Sequence, residues 1–249
     1  MNTNFNFNNR STNVENMSPQ AAARTRSLLT YTFGWMALAM ILSIVGALLF
    51  AYNPVLAEML HKIDPVTLRA KPTMLYWILL FAPFAFILVM SFGFNRLSFP
   101  VLLGLFLAYA ACTGVTLSVV IPAYGENTVL KAFGSAAGLF GLMAVVGATT
   151  KTDLTSFGRI MTIGLFGIVI ASLINMFTRS SGFDYLISIV GVAVFTGLVA
   201  FNVQRIKNIS AESDGSEGYM KLSVMSAFTL YLDFINIFLF LLRIFGRRD

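Results

Sequence analysis

Seven apolar runs, each long enough in helix to match the thickness of a bilayer, dominate this chain; they fall at roughly 31–51, 74–94, 99–121, 129–148, 157–177, 183–203 and 222–245. A hydrocarbon core about 30 Å thick takes about 20 apolar residues in helix, whereas a barrel strand takes only about 10. Backbone in lipid must satisfy its own hydrogen bonds, so runs of this length are helices. The expectation is an all-α integral membrane protein with seven transmembrane helices. Composition agrees, since 57% of the 249 residues are hydrophobic and 11% charged. Breakers separate the runs: Asn53-Pro54, Asp64-Pro65, Pro122 and Ser180-Ser181-Gly182. Pro83 lies inside the second run and is expected to kink it.

Residues 1–27 read differently. Their start is rich in Asn and poor in branched apolar side chains, which predicts a disordered tail ahead of a transmembrane domain over 28–249. The first apolar run lies too far from the terminus, and is too long, for an ordinary secretory signal. A net charge of +6 could mark nucleic acid as partner, but the Lys and Arg residues sit almost wholly in short connections, where they signal topology. Seven full crossings place nine of these 17 cations on the N-terminal side and eight opposite, a slight excess that favours the N-terminus inside. A re-entrant last segment would make the division 12 to 5.

Cys112 is the one cysteine and His61 the one histidine, so neither a disulfide framework nor a Cys/His metal cluster can be assembled, and no cofactor is expected. The fourth run carries Gly134-Ser-Ala-Ala-Gly138, followed by Gly141 and Gly147. Close packing within the bundle is the expected use of these small residues, with a dimer face as the alternative. Oligomeric state is not legible.

The last stretch of the chain, Thr229 to Asp249, puts a carboxylate among aromatic and branched side chains. Turned at 100° per residue, Ser226, Thr229, Asp233, Asn236 and Arg243 share an arc of roughly 100°. A carboxylate facing lipid would cost several kcal/mol, so this stripe should face the bundle interior, and the last helix should be central. Asp233 is then either an ion-pathway residue or a hydrogen-bonding staple between helices.

Three classes of intramembrane enzyme each need a constellation that this chain lacks. His61 alone cannot form HExxH, and no run holds a histidine to serve a nucleophile. Asp184 sits at the entrance of the sixth run while Asp233 lies within the seventh, so two carboxylates at one depth are not available. Phosphate loops are missing, and Glu212, Asp214 and Glu217 lack the ligand spacing of a calcium loop. The chain does not read as an enzyme.

The ending Leu230-Tyr-Leu-Asp-Phe-Ile-Asn-Ile-Phe-Leu-Phe-Leu-Leu-Arg-Ile-Phe-Gly246 closely resembles the last helix of the transmembrane Bax inhibitor motif family, including its bacterial YccA-like members. The resemblance extends through Gly114-Val-Thr-Leu-Ser118, Ala132-Phe-Gly-Ser-Ala-Ala137 and Thr149-Thr-Lys-Thr-Asp-Leu-Thr-Ser-Phe-Gly158. It implies a last helix wrapped by two groups of three, and a pH-sensitive calcium leak across a membrane, here a bacterial inner membrane. The second role it implies is regulatory: binding and modulating a membrane-bound ATP-dependent protease, with the tail or loops as the contact.

In the calcium-leak members the resemblance points to a pair of aspartates on the sixth and seventh helices, with an arginine after the second helix nearby. Asp233 takes the seventh-helix place, as pH sensor and as a weak calcium contact, and Arg96 the arginine's. Asn202, in Phe201-Asn202-Val203-Gln204-Arg205, stands where the other aspartate would be. Asn236 and Arg243 complete the polar face. Two neighbouring carboxylates titrate as a coupled pair, but an amide donates at every pH and never adds a second negative charge. The latch is therefore expected to respond less to pH than a two-aspartate latch, and any calcium conduction to be weaker.

Overall fold

The computed structural model describes residues 19–63, 70–212 and 217–246. Most of the tail, the tip of the first loop, part of the acidic connection before the last helix, and residues 247–249 lie outside them. Helix α1 runs Pro19–Tyr52, α2 Pro54–Leu60, α3 Met74–Gly93, α4 Phe99–Leu117 and α5 Val120–Tyr124. They are followed by α6 Glu126–Thr149, α7 Thr155–Thr178, α8 Ser181–Glu212 and α9 Glu217–Phe245. A two-stranded hairpin, β1 His61–Ile63 and β2 Ala70–Pro72, follows α2, pairing antiparallel with Lys62 opposite Lys71.

Seven helical stretches are long and apolar enough to cross a membrane: Ala22–Tyr52, Met74–Gly93, Phe99–Tyr124, Glu126–Thr149, Thr155–Thr178, Ser181–Ile209 and Gly218–Phe245. Each contains one of the runs read from the sequence, to within a residue, and the last is a full-length helix, not a short re-entrant one. The first begins earlier than expected. Helix α1 starts at Pro19, so residues 19–27 belong to it and not to a tail. The physical reason is local: Pro fits the first helical position, and the Ala-rich turns behind it favour helix without being apolar enough to register as a span.

Breaks in the ladder fall where backbone donors are lost. Pro122 has no N–H for the Ser118 carbonyl, and there α4 gives way to α5, with Ser118 folding both its N–H and its hydroxyl onto the Val115 carbonyl. Gly125 turns the chain from α5 into α6 at φ 77°, a left-handed conformation open to glycine. Pro83 lies inside α3 without ending it. Asn53 caps α2 by accepting from the Val55 and Leu56 amides.

Helix α9 is central. It packs on α1 and α4 from one group of three (α1, α3, α4) and on α6 and α8 from the other (α6, α7, α8). Aromatic rings converge on it from both sides. Phe106 and Tyr109 of α4 stand edge-on to Phe228 and Tyr231 at centroid distances of 5.0–5.8 Å, and Phe133 and Phe140 of α6 meet Phe234 at 5.5 and 5.8 Å. In contrast α3 and α7 each bury only 6% of their apolar window, which fits lipid-facing outer helices.

Two glycines let backbones meet. A Cβ on Gly114 of α4 would lie 2.6 Å from Ser43 Cα of α1, and one on Gly147 of α6 would lie 2.9 Å from Ala200 Cα of α8. The Gly134–Gly138 pair does not serve this purpose. Together with Gly141 it faces outward, with nothing within 4 Å of a Cβ at any of the three, while Ala132, Ala136, Phe140, Ala144 and Gly147 form the packed face of α6. The expectation of close packing at Gly134 and Gly138 is thus corrected: larger apolar neighbours claim the inward arc, and helical periodicity turns the pair out.

Candidate functional site

Asp233 lies about midway along α9, 5% exposed, and Asn202 lies about two thirds of the way along α8, 9% exposed. The Asn202 amide donates to Asp233 Oδ2 at 2.7 Å, inside the bundle. Burial alone would exact the full desolvation penalty of an unpaired polar group, and this bond relieves part of it. A carboxylate facing an amide also has a partner in either protonation state, because the amide carries both donors and an acceptor.

The rest of the polar stripe divides its attention. Thr229 and Asn236 bond back to the carbonyls of Met225 and Leu232, four residues earlier on α9. Arg243 does not join Asp233. Ten residues further along the helix, it pairs with Asp184 in the first turn of α8 at 3.5 Å, and its guanidinium lies 5.6 Å from the centre of the Phe240 ring. A shared arc gave direction but not reach, since ten residues span about 15 Å of helix. Arg96 is placed in the exposed turn after α3. Among the described residues its side chain makes no bond to Asp233, so the arrangement expected for Arg96 and Arg243 is not the one observed. Nor do three His, Cys, Asp or Glu side chains cluster anywhere among the described residues, so Asp233 is not part of such a metal cage.

Several contacts in the structure are not among those read from the sequence. Asp184 and Arg243 occupy opposite ends of consecutive antiparallel spans, a complementarity that could have been read from their positions. Gln204, two residues beyond Asn202 and turned the other way, accepts from the Leu154 amide and donates to the Thr152 carbonyl, both at 2.8 Å. Lys207 lies a turn further on, its ammonium 3.3 and 3.4 Å from the carbonyls of Ala148 and Thr150 at the end of α6. These two side chains clasp the α6–α7 connection. The connection also holds itself, for Asp153 accepts from the Thr155 amide and hydroxyl at the start of α7. The hydroxyl and then the amide of Thr155 hold the Asp153 carboxyl below the ordinary range, against a smaller opposing effect of burial. On the opposite face of α9, Tyr231 and Ser43 share a hydrogen bond of 2.7 Å, with Ser43 also 2.8 Å from the Ala110 carbonyl.

A seven-helix membrane protein with a carboxylate in its central helix, fastened to one neighbour by an amide and to another through a tyrosine, is the class that fold and site define. The chain belongs to the Bax inhibitor family: the family described as inhibitor of apoptosis-promoting Bax1 matches residues 25–249. It is 36% identical over 231 residues to the inner membrane protein YbhL of Escherichia coli K12, a match covering 92% of this chain and 95% of YbhL. An uncharacterized protein of Borreliella burgdorferi is 39% identical over 221 residues, covering 88% of this chain and 91% of that protein. One from Rickettsia prowazekii is 36% identical over 223 residues, 90% of each chain.

Proposed function

We propose that this protein is a pH-responsive cation leak of a bacterial inner membrane, with calcium as the permeant ion and the contact between Asn202 and Asp233 as its control point. The observation that carries this reading is the placement of a buried carboxylate on the one helix that both three-helix groups enclose. Intramembrane carboxylates mark ion and proton pathways by default, and permeation needs a group that attracts a cation yet lets it go. A single carboxylate beside an amide meets that requirement better than a multidentate cage would. Proton uptake converts a charge-assisted bond into a neutral one, which weakens both the fastening and the attraction for a cation. The amide contributes no like charge to drive α8 from α9, so the response to pH is shallow. The naming of YbhL as an inner membrane protein supports the location.

The test is calcium entry into liposomes loaded with a calcium indicator, comparing parent protein and Asp233→Asn across a pH series. Parent flux above that of empty liposomes, reduced in the variant, is the expected result. Parent flux equal to empty liposomes at every pH overturns the reading.

A further inference from the structure

The wall of the bundle is open between α1 and α6. These helices make no extended contact with each other, and between them lies a cavity of about 250 Å³ whose walls include Ser43 and Ala47 of α1, Val120 of α5, Phe133 of α6 and Phe238 of α9. Its rim is exposed: Ile44 by 39%, Leu48 by 44% and Leu130 by 67%. All three lie within spans, so the cavity opens sideways into the hydrocarbon.

The lining decides what can enter. It is apolar apart from Ser43, whose hydroxyl is engaged by Tyr231 and the Ala110 carbonyl, so water would find too few partners to stay. A helix is about 10 Å across and does not fit a space of this size. Hydrocarbon needs no polar partner and restores the dispersion contacts that an empty cavity forfeits. A polar level lies just beyond: one turn past Leu48 and one turn before Leu130, the Tyr52 hydroxyl donates to Glu126 and ties α1 to α6.

We propose that this crevice is a lipid site, holding one acyl chain of a membrane phospholipid with its headgroup at the level of Tyr52 and Glu126. The inference is independent of ion conduction; it needs only the membrane. The inner end of such a chain lies against Phe234 and Phe238, so a lipid there touches the central helix next to Asp233.

The full chain, reconstituted in vesicles of phosphatidylethanolamine and phosphatidylglycerol with a trace of each lipid carrying a diazirine within its acyl chain, would be irradiated and its adducts mapped by mass spectrometry. Adducts at Ala47, Phe133 and Phe238 should exceed those at Ile163 and Phe166 on the outer surface of α7. Ala47→Phe, which fills the crevice, should bring Phe238 labelling down to background while leaving α7 labelling unchanged. Leu48→Trp, at the rim, provides the same test if Ala47→Phe does not fold. Labelling of Phe238 no stronger than that of the α7 surface, or unaffected by the filling variants, overturns the site.

Discussion

Asn202 and Asp233 face each other across α8 and α9 at 2.7 Å, and only one of the two can ionise. This asymmetry fixes what the contact can do. It is a hydrogen bond at every pH, where a pair of carboxylates would be a bond at one pH and a repulsion at another.

Installing the missing charge should therefore change the pH response more than the flux at any one pH. In Asn202→Asp the two carboxylates would titrate as a coupled pair, sharing a proton until the second ionises. Liposome calcium flux measured from acid to alkaline pH should rise more steeply in the variant than in the parent. A profile parallel to the parent's would show that the contact does not control conduction.

Removing the amide tests the same contact as a matter of stability. Asn202→Leu leaves the Asp233 carboxyl buried without its partner and should destabilise the bundle by about 1–3 kcal/mol. The double variant Asn202→Leu with Asp233→Leu removes both polar groups and should recover most of that loss. Unfolding in mixed micelles measures both; equal losses in single and double variants would contradict a paired role.

Glycines that look alike in sequence should behave differently. Gly114→Ala drives a Cβ into the Ser43 backbone, which cannot rotate away, and should cost about 1–3 kcal/mol through separation of α1 and α4. Gly138→Ala meets open space and should stay within about 1 kcal/mol of the parent, with any gain coming from helix propensity. Thermal unfolding in detergent distinguishes them. Tm values lowered equally by both would mean that α6 uses its Gly138 face in packing after all.

Asp153 gives a pH effect outside the membrane. Its folded-state pKa is lowered, so the stabilisation is fully present above the unfolded value of about 3.9 and is lost as pH falls through the lower folded value. Because the side chain is exposed, Asp153→Ala should lower stability at pH 7 by only about 0.5 kcal/mol. The difference from the parent should shrink below about pH 4. A gap that stayed constant down to pH 2 would rule out the carboxylate as its source.

The bundle was legible in the sequence because a span announces itself twice, by apolar length and by the breakers at its ends. The centrality of α9 followed from one physical demand, that Asp233 not face lipid. Partner identity was harder. A helical arc shows which way Arg243 points but not that Asp184 waits at the other end of α8, and nothing in the Gly134–Gly138 spacing tells which face of α6 is turned to the core. The clasp by Gln204 and Lys207 depends on a connection whose own conformation is set by tertiary contacts, so local propensity could not reveal it.

Within six residues of α8, Asn202 holds α9, Gln204 holds the backbone of the α6–α7 connection and Lys207 holds the end of α6. A gate swinging on one hinge does not suit such an arrangement. A displacement of this stretch large enough to part Asn202 from Asp233 strains three anchorages at once, and the stretch behaves like a spindle whose bearings must release together. On the proposed function, openings should be rare and abrupt, with single-channel records showing brief full-amplitude events in place of graded sublevels.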